Sequence, residues 1–147
     1  MRSTSFFFNK SVNRMITYVS GTAKFWGKVA KSLDKHSKGQ PSGCTEWCGW
    51  KDRDGYGMKR VTWPDGSRVR QLVPVHRLVY MMDKKLLPSQ MPQLDDKGVS
   101  LDVSHRCHNR ACVLAEHIVL ERHSDNIGRR HCRRLGFCTE DHVKCIL

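Results

Sequence analysis

No run of apolar residues in this chain comes near the ~20 that a membrane-spanning helix needs. The opening Phe6-Phe7-Phe8 is cut short by Asn9 and Lys10, which argues against a secretory signal. Acidic residues are scarce: 14 Asp and Glu stand against 26 Lys and Arg, a net charge of +12 on 147 residues. A small chain so unbalanced repels itself until it meets an anion, which points first to nucleic acid and second to an acidic membrane face. Apolar residues are also in short supply, at 39 % against the usual share of roughly 45–50 %. One domain with a thin core is expected, held by something besides apolar burial. Seven cysteines cannot all pair with one another. Their clustering with histidine at short spacings points to metal in a reducing compartment rather than to a disulfide framework.

Residues 1–43 carry eight Lys or Arg and a single acid, Asp34. Phe6, Met15, Ile16, Val19, Phe25, Trp26 and Val29 suggest one or two amphipathic helical pieces, interrupted near Ser20-Gly21. The start is acid-poor like an organelle transit peptide but lacks the Arg and Ser richness of one. It reads as a basic extension, helical or mobile, that packs on the domain or touches phosphates. Lys35 to Gly43, with Gly39, Pro41 and Gly43, reads as a linker into a second segment spanning 44–147.

Trp63-Pro64-Asp65-Gly66-Ser67 is a turn signal, and the flanks Tyr56–Thr62 and Ser67–Val73 alternate as strands do. Side chains of period two put Arg60 and Thr62 on one face, and Arg68 and Arg70 together on the returning strand. A basic ribbon of this kind can lie in a DNA major groove, with Lys59, Arg60, Thr62, Arg68 and Arg70 as the contacts. An ordinary solvated sheet face would look the same. Val75 to Leu86 follows as a helix with a core stripe of Val75, Leu78, Val79, Met82 and Leu86, and Pro88 to Gly98 as a loop.

Two cysteine–histidine groups stand out. Cys107, Cys112 and His117 are spaced C-x4-C-x4-H, three ligands of the kind zinc takes, with Cys44 or Cys48 available upstream as the fourth. Cys132, Cys138, His142 and Cys145 form a complete Cys3His set within one short segment. Two structural zinc ions would offset the thin core. His105, His108, His123, His131 and Asn126 remain outside these sets. His105 reads equally as a packing group, a spare ligand or a general base.

The run Ser104-His105-Arg106-Cys107-His108-Asn109, with Cys112, His117, Asn126-Ile127-Gly128-Arg129 and Cys132, resembles the His-Cys box homing endonucleases. These belong to the wider ββα-metal, His-Me finger or HNH-like, nucleases. Cys44-Thr45-Glu46-Trp47, Gly55-Tyr56-Gly57 and Val75-His76-Arg77-Leu78-Val79-Tyr80 are similar to segments that precede the box in related nucleases. The likeness covers about 44–145. It implies an α+β, ββα-metal fold with an antiparallel DNA-binding ribbon, stapled by two zinc sites. It further implies His105 as general base, Asn126 as ligand of one catalytic Mg2+, and a ribbon arginine beside the phosphate, a place for Arg68 or Arg70. It favours Cys44 as the fourth ligand of the first zinc.

The chain departs from that family in three places. Val113-Leu114-Ala115-Glu116 stands where the family carries Asn-Pro, the spacing of the C-terminal ligands around His142 differs, and the sequence ends two residues after Cys145. The expected function is a site-specific endonuclease acting on double-stranded DNA. It would need no membrane and would act in the nucleus or another DNA-containing compartment, an organelle included. A homodimer would suit a symmetric target. A non-catalytic zinc DNA-binding module and a less specific DNA or RNA nuclease are the alternatives.

Overall fold

A computed structural model describes residues 20–147 apart from positions 66 and 140. The helical piece expected before Ser20 and the transit-peptide reading lie outside the described residues. Helix α1 (Ser20–Lys35) leads into three antiparallel strand pairs with two further helices between and after them. The pairs are β1 (Ser37–Gly39) with β2 (Thr45–Trp47), β3 (Met58–Thr62) with β4 (Arg70–Pro74), and β5 (Leu101–His105) with β6 (Ile118–Arg122). Helix α2 (Val75–Lys84) follows β4 directly, and α3 (His123–Leu135) follows β6. No helix among the described residues is long and apolar enough to cross a membrane.

The stretch read as a linker, 35–43, contains strand β1, with Ser37 opposite Trp47 and Gly39 opposite Thr45. Its three residues carry no apolar alternation, so backbone pairing alone makes the strand. Helix α1 packs on the rest of the described chain. Trp26, Val29, Ala30 and Leu33, at helical spacing, are buried in the same core as Trp47, Val61, Trp63, Leu78 and Ile118. Lys24, Lys28, Lys31 and Lys35 occupy the opposite, exposed stripe. Phe25 and Trp26 meet the ring of Trp63 at 5.3 and 6.4 Å between centroids. The second core tryptophan, Trp47, explains two glycines. A Cβ at Gly49 would lie 2.5 Å from its ring and one at Gly57 2.8 Å, so neither position admits a side chain without displacement.

The hairpin forms where the turn signal places it, with Met58 opposite Pro74 and Thr62 opposite Arg70. Its return strand begins three residues later than the alternation suggests. Arg68 lies before that strand with φ 56°, so Arg68 and Arg70 do not share a strand face. Lys59 needs correction as well. Alternation turns it to the inner side of β3, where its Nζ donates to Ser32 Oγ at 2.7 Å and lies 5.9 Å from the Trp47 ring. Arg60 and Thr62 point outward. Helix α2 matches its predicted start and ends two residues early, with Val75, His76, Leu78, Val79, Met81 and Met82 buried.

Candidate metal centres and active site

The connection between β5 and β6 carries Cys107, Cys112 and His117, and it is laced to β2 by backbone bonds. Trp47 N–H donates to Ala111 O and Val113 N–H to Thr45 O, both at 2.8 Å. This pairing brings Cys44, just before β2, into the loop. The ligand atoms of Cys44, Cys107, Cys112 and His117 lie within 4.8 Å of one another. His117 Nδ1 is 3.5 Å from Cys112 Sγ and 3.7 Å from Cys44 Sγ. Tetrahedral zinc with bonds of roughly 2.0–2.3 Å spaces its ligands by about 3.5–3.8 Å, so the donor set fits in chemistry and in size. Cys48 is exposed and turned away, its thiol against the Glu46 carbonyl at 3.6 Å. Where the family has Asn-Pro, a 3-10 turn at Ala115–His117 delivers the histidine.

The second set gathers the last turns of α3 and the C-terminal segment. Cys132, Cys138, His142 and Cys145 also place their ligand atoms within 4.8 Å, with Cys132 Sγ 3.2 Å from His142 Nε2. N–H donors surround the sulfurs as they do around thiolates. Thr139 N–H reaches Cys132 Sγ at 3.4 Å, Cys145 N–H reaches Cys138 Sγ at 3.4 Å, and Arg129 Nη1 reaches Cys145 Sγ at 3.3 Å. Hydrogen bonds from Thr139 pull the Cys132 thiol down to about 6. The altered spacing therefore still closes a complete Cys3His site.

Apart from the tetrads, the described residues enclose a cavity of about 600 Å³. His105, at the end of β5, and Asn126, in the first turn of α3, both line it. His105 is 7 % exposed, and its Nε2 lies 3.0 Å from the Cys112 carbonyl. A carbonyl can only accept, so Nε2 carries the proton and Nδ1 keeps its lone pair. Burial holds this imidazole neutral, with its pKa lowered to about 4 despite the opposing pull of the Cys112 carbonyl. One residue thus serves two groups: the Cys112 thiol belongs to the first tetrad while its carbonyl orients His105.

Asn126 Nδ2 donates to Asp102 Oδ2 at 2.9 Å, and His123 Nδ1 meets the same oxygen at 2.6 Å. With its NH2 committed, the Asn126 amide has its Oδ1 left to serve as a ligand. A hard oxygen donor suits Mg2+ and not the thiophilic ions of the tetrads. Partial burial pushes the Asp102 carboxyl up, but the Asn126 and His123 hydrogen bonds and the Arg77 charge outweigh it and hold it ionised, below the usual range.

Two neighbours of His105 received no role from sequence reasoning. The His76 ring lies 4.7 Å away and Tyr56 6.2 Å away. His76 stands outside the apolar stripe read from the sequence for α2, and the fold buries it in the cavity wall. Six arginines line the cavity, Arg77, Arg110, Arg129, Arg130, Arg133 and Arg134, against Asp52 and Asp102. The excess marks a site for an anion. Arg130, Arg133 and Arg134 follow Asn126 by four, seven and eight residues, a one-face helical spacing that was available in the sequence. Arg68 and Arg70 are not among the lining residues; Met58 and Pro74 are the residues of β3 and β4 that reach it. Arg60, Thr62, Arg70 and Leu72 extend outward along the face that Met58 and Pro74 begin.

Two cysteine–histidine tetrads whose donor sets fit zinc, together with an arginine-lined cavity onto which a histidine and an asparagine open, define a small α+β metal-site domain. The chain belongs to the family described as the zinc-binding loop region of homing endonuclease, whose model matches residues 45–146. No curated protein and no solved structure matches it.

Proposed function

We propose that the chain is a Mg2+-dependent endonuclease of homing type that hydrolyses double-stranded DNA, and that β5, β6 and α3 are its ββα-metal unit. One observation carries the reading: a neutral imidazole with a free Nδ1 and an amide oxygen held by its NH2 open onto a single arginine-lined cavity, while both tetrads lie outside the chemistry. His105 Nδ1 takes the proton of a water as that water attacks phosphorus. The bond to the 3′ oxygen breaks and the departing oxygen takes a proton from solvent water, leaving a 5′-phosphate and a 3′-hydroxyl. Asn126 Oδ1 would hold the divalent cation, which supplies a Lewis acid for the departing oxygen. Asp102 keeps the Asn126 amide turned the right way, and the Cys112 carbonyl keeps His105 in the basic tautomer. The arginines oppose the charge that grows on the phosphate oxygens.

The outer ribbon face, with Arg60, Thr62 and Arg70, lies in the major groove and positions the duplex. One cavity cuts one strand, so a double-strand break at a symmetric site calls for two copies of the chain. The test is nicking of a supercoiled plasmid carrying the gene's own flanking locus, with Mg2+ and with EDTA. His105→Ala should abolish nicking and Asn126→Ala should weaken it, each with zinc content and DNA affinity preserved. A wild type holding two zinc ions that binds DNA and never nicks it would make the chain a zinc-stapled binding module instead.

A further inference from the structure

We propose that Arg77 is the cation that meets the phosphate being cut, in place of either ribbon arginine. The inference rests on the nuclease reading above. Helix α2 begins at Val75 immediately after Pro74, the last ribbon residue to line the cavity, so its first turn forms part of the cavity wall. Within that turn His76 is buried beside His105, and Arg77, a further 100° around the helix, is exposed at the rim. Arg77 lines the same cavity as His105 and Asn126, and its exposed head has little desolvation to overcome before meeting substrate.

The other arginines are committed elsewhere or lie farther off. Arg70 is four strand residues beyond Pro74, roughly 13 Å along the ribbon. Arg68 lies nearer the turn still, in a left-handed backbone conformation. Arg129 is paired with Glu121 and buried. Arg110 donates to the Asp54 carbonyl at 2.6 Å and covers the Tyr56 ring. Arg130, Arg133 and Arg134 lie about 6–12 Å along α3 from Asn126, the distance of flanking phosphates rather than the one under attack. A guanidinium also suits the task chemically. Its paired N–H donors match two non-bridging oxygens, which gain charge as the attacking oxygen bonds to phosphorus.

The experiment is single-turnover nicking of a supercoiled plasmid in Mg2+ at saturating protein, with DNA affinity measured in parallel. Arg77→Ala should lower the saturated rate on the order of 10²–10³-fold while its Kd moves only a few-fold. Arg77→Lys should recover part of the rate, and guanidinium ion added to Arg77→Ala should recover more, a rescue that a structural role would not show. Arg60→Ala and Arg70→Ala should lose mainly affinity. A cleaving wild type whose rate survives Arg77→Ala, or whose saturated rate falls with Arg60 or Arg70 instead, overturns this assignment and leaves the nuclease reading standing. A wild type that binds without cleaving overturns both.

Discussion

Replacing Arg129 by methionine removes the positive half of an ion pair whose two side chains are each 2 % exposed. Its Nε lies 3.2 Å from Glu121 Oε1, and its Nη2 meets the other carboxylate oxygen, a two-point grip. Glu121 would be left with the Ser104 hydroxyl as its remaining partner in this network, deep in the sheet. Stranding a buried charge in this way costs about 3–5 kcal/mol. Arg129 also donates to the Val143 carbonyl at 2.6 Å and to Cys145 Sγ, so the second tetrad loses a support as well. Small domains keep only about 5–15 kcal/mol in total, so the variant should unfold at markedly lower urea concentration, measured with zinc in excess. The companion Glu121→Leu with Arg129→Met removes both charges and should regain part of the loss, because an apolar pair needs no solvation. A single variant destabilised by less than about 1 kcal/mol, or a double variant no better than the single, would refute the reasoning.

Zinc removal is expected to silence the base through geometry, since the Cys112 carbonyl that orients His105 belongs to a ligand residue. Chelation, or Cys112→Ser, should abolish nicking and lower zinc content below two ions per chain, whereas Cys48→Ser should leave it at two. Acid should expose the buried His76, whose pKa burial depresses to about 3, with the charges of His105 and Arg77 adding to the effect. The unfolded chain protonates it near the ordinary value, so its contribution is present above about pH 6.5 and is lost as pH falls toward 3. His76→Phe should flatten the fall in melting temperature over that window; an unchanged slope counts against it. Arg130→Ala and Arg133→Ala should each reduce the salt slope of DNA binding by about 0.9, one phosphate contact apiece. A slope equal to wild type would remove them from the DNA track.

Cys132 to Cys145 is the clearest case of chemistry written locally, because four ligands within one short segment need no long-range fold to be recognised as a set. The α2 stripe and the hairpin turn were legible for a similar reason: each depends on near neighbours, through helical spacing in one and turn residues in the other. Strand β1 was hidden because Ser37-Lys38-Gly39 has no side-chain pattern, and its identity rests on pairing with Thr45–Trp47. Lys59 misled as one more positive charge in a basic hairpin, although alternation already set it opposite Arg60. Arg68 misled because the strand starts late.

Residue type and spacing therefore made the zinc-type donor sets and the excess of positive charge legible, since charge and donor chemistry belong to side chains wherever they sit. Spacing alone left Cys44 and Cys48 open and the family resemblance favoured Cys44; the lacing of β2 onto the Ala111–Val113 segment is what brings it to the other three ligands. The tautomer of His105 and the orientation of the Asn126 amide could come only from partners seven and twenty-four residues away. A hydrogen bond is a fact of distance and direction, and those exist once the strands have paired and the helices have packed.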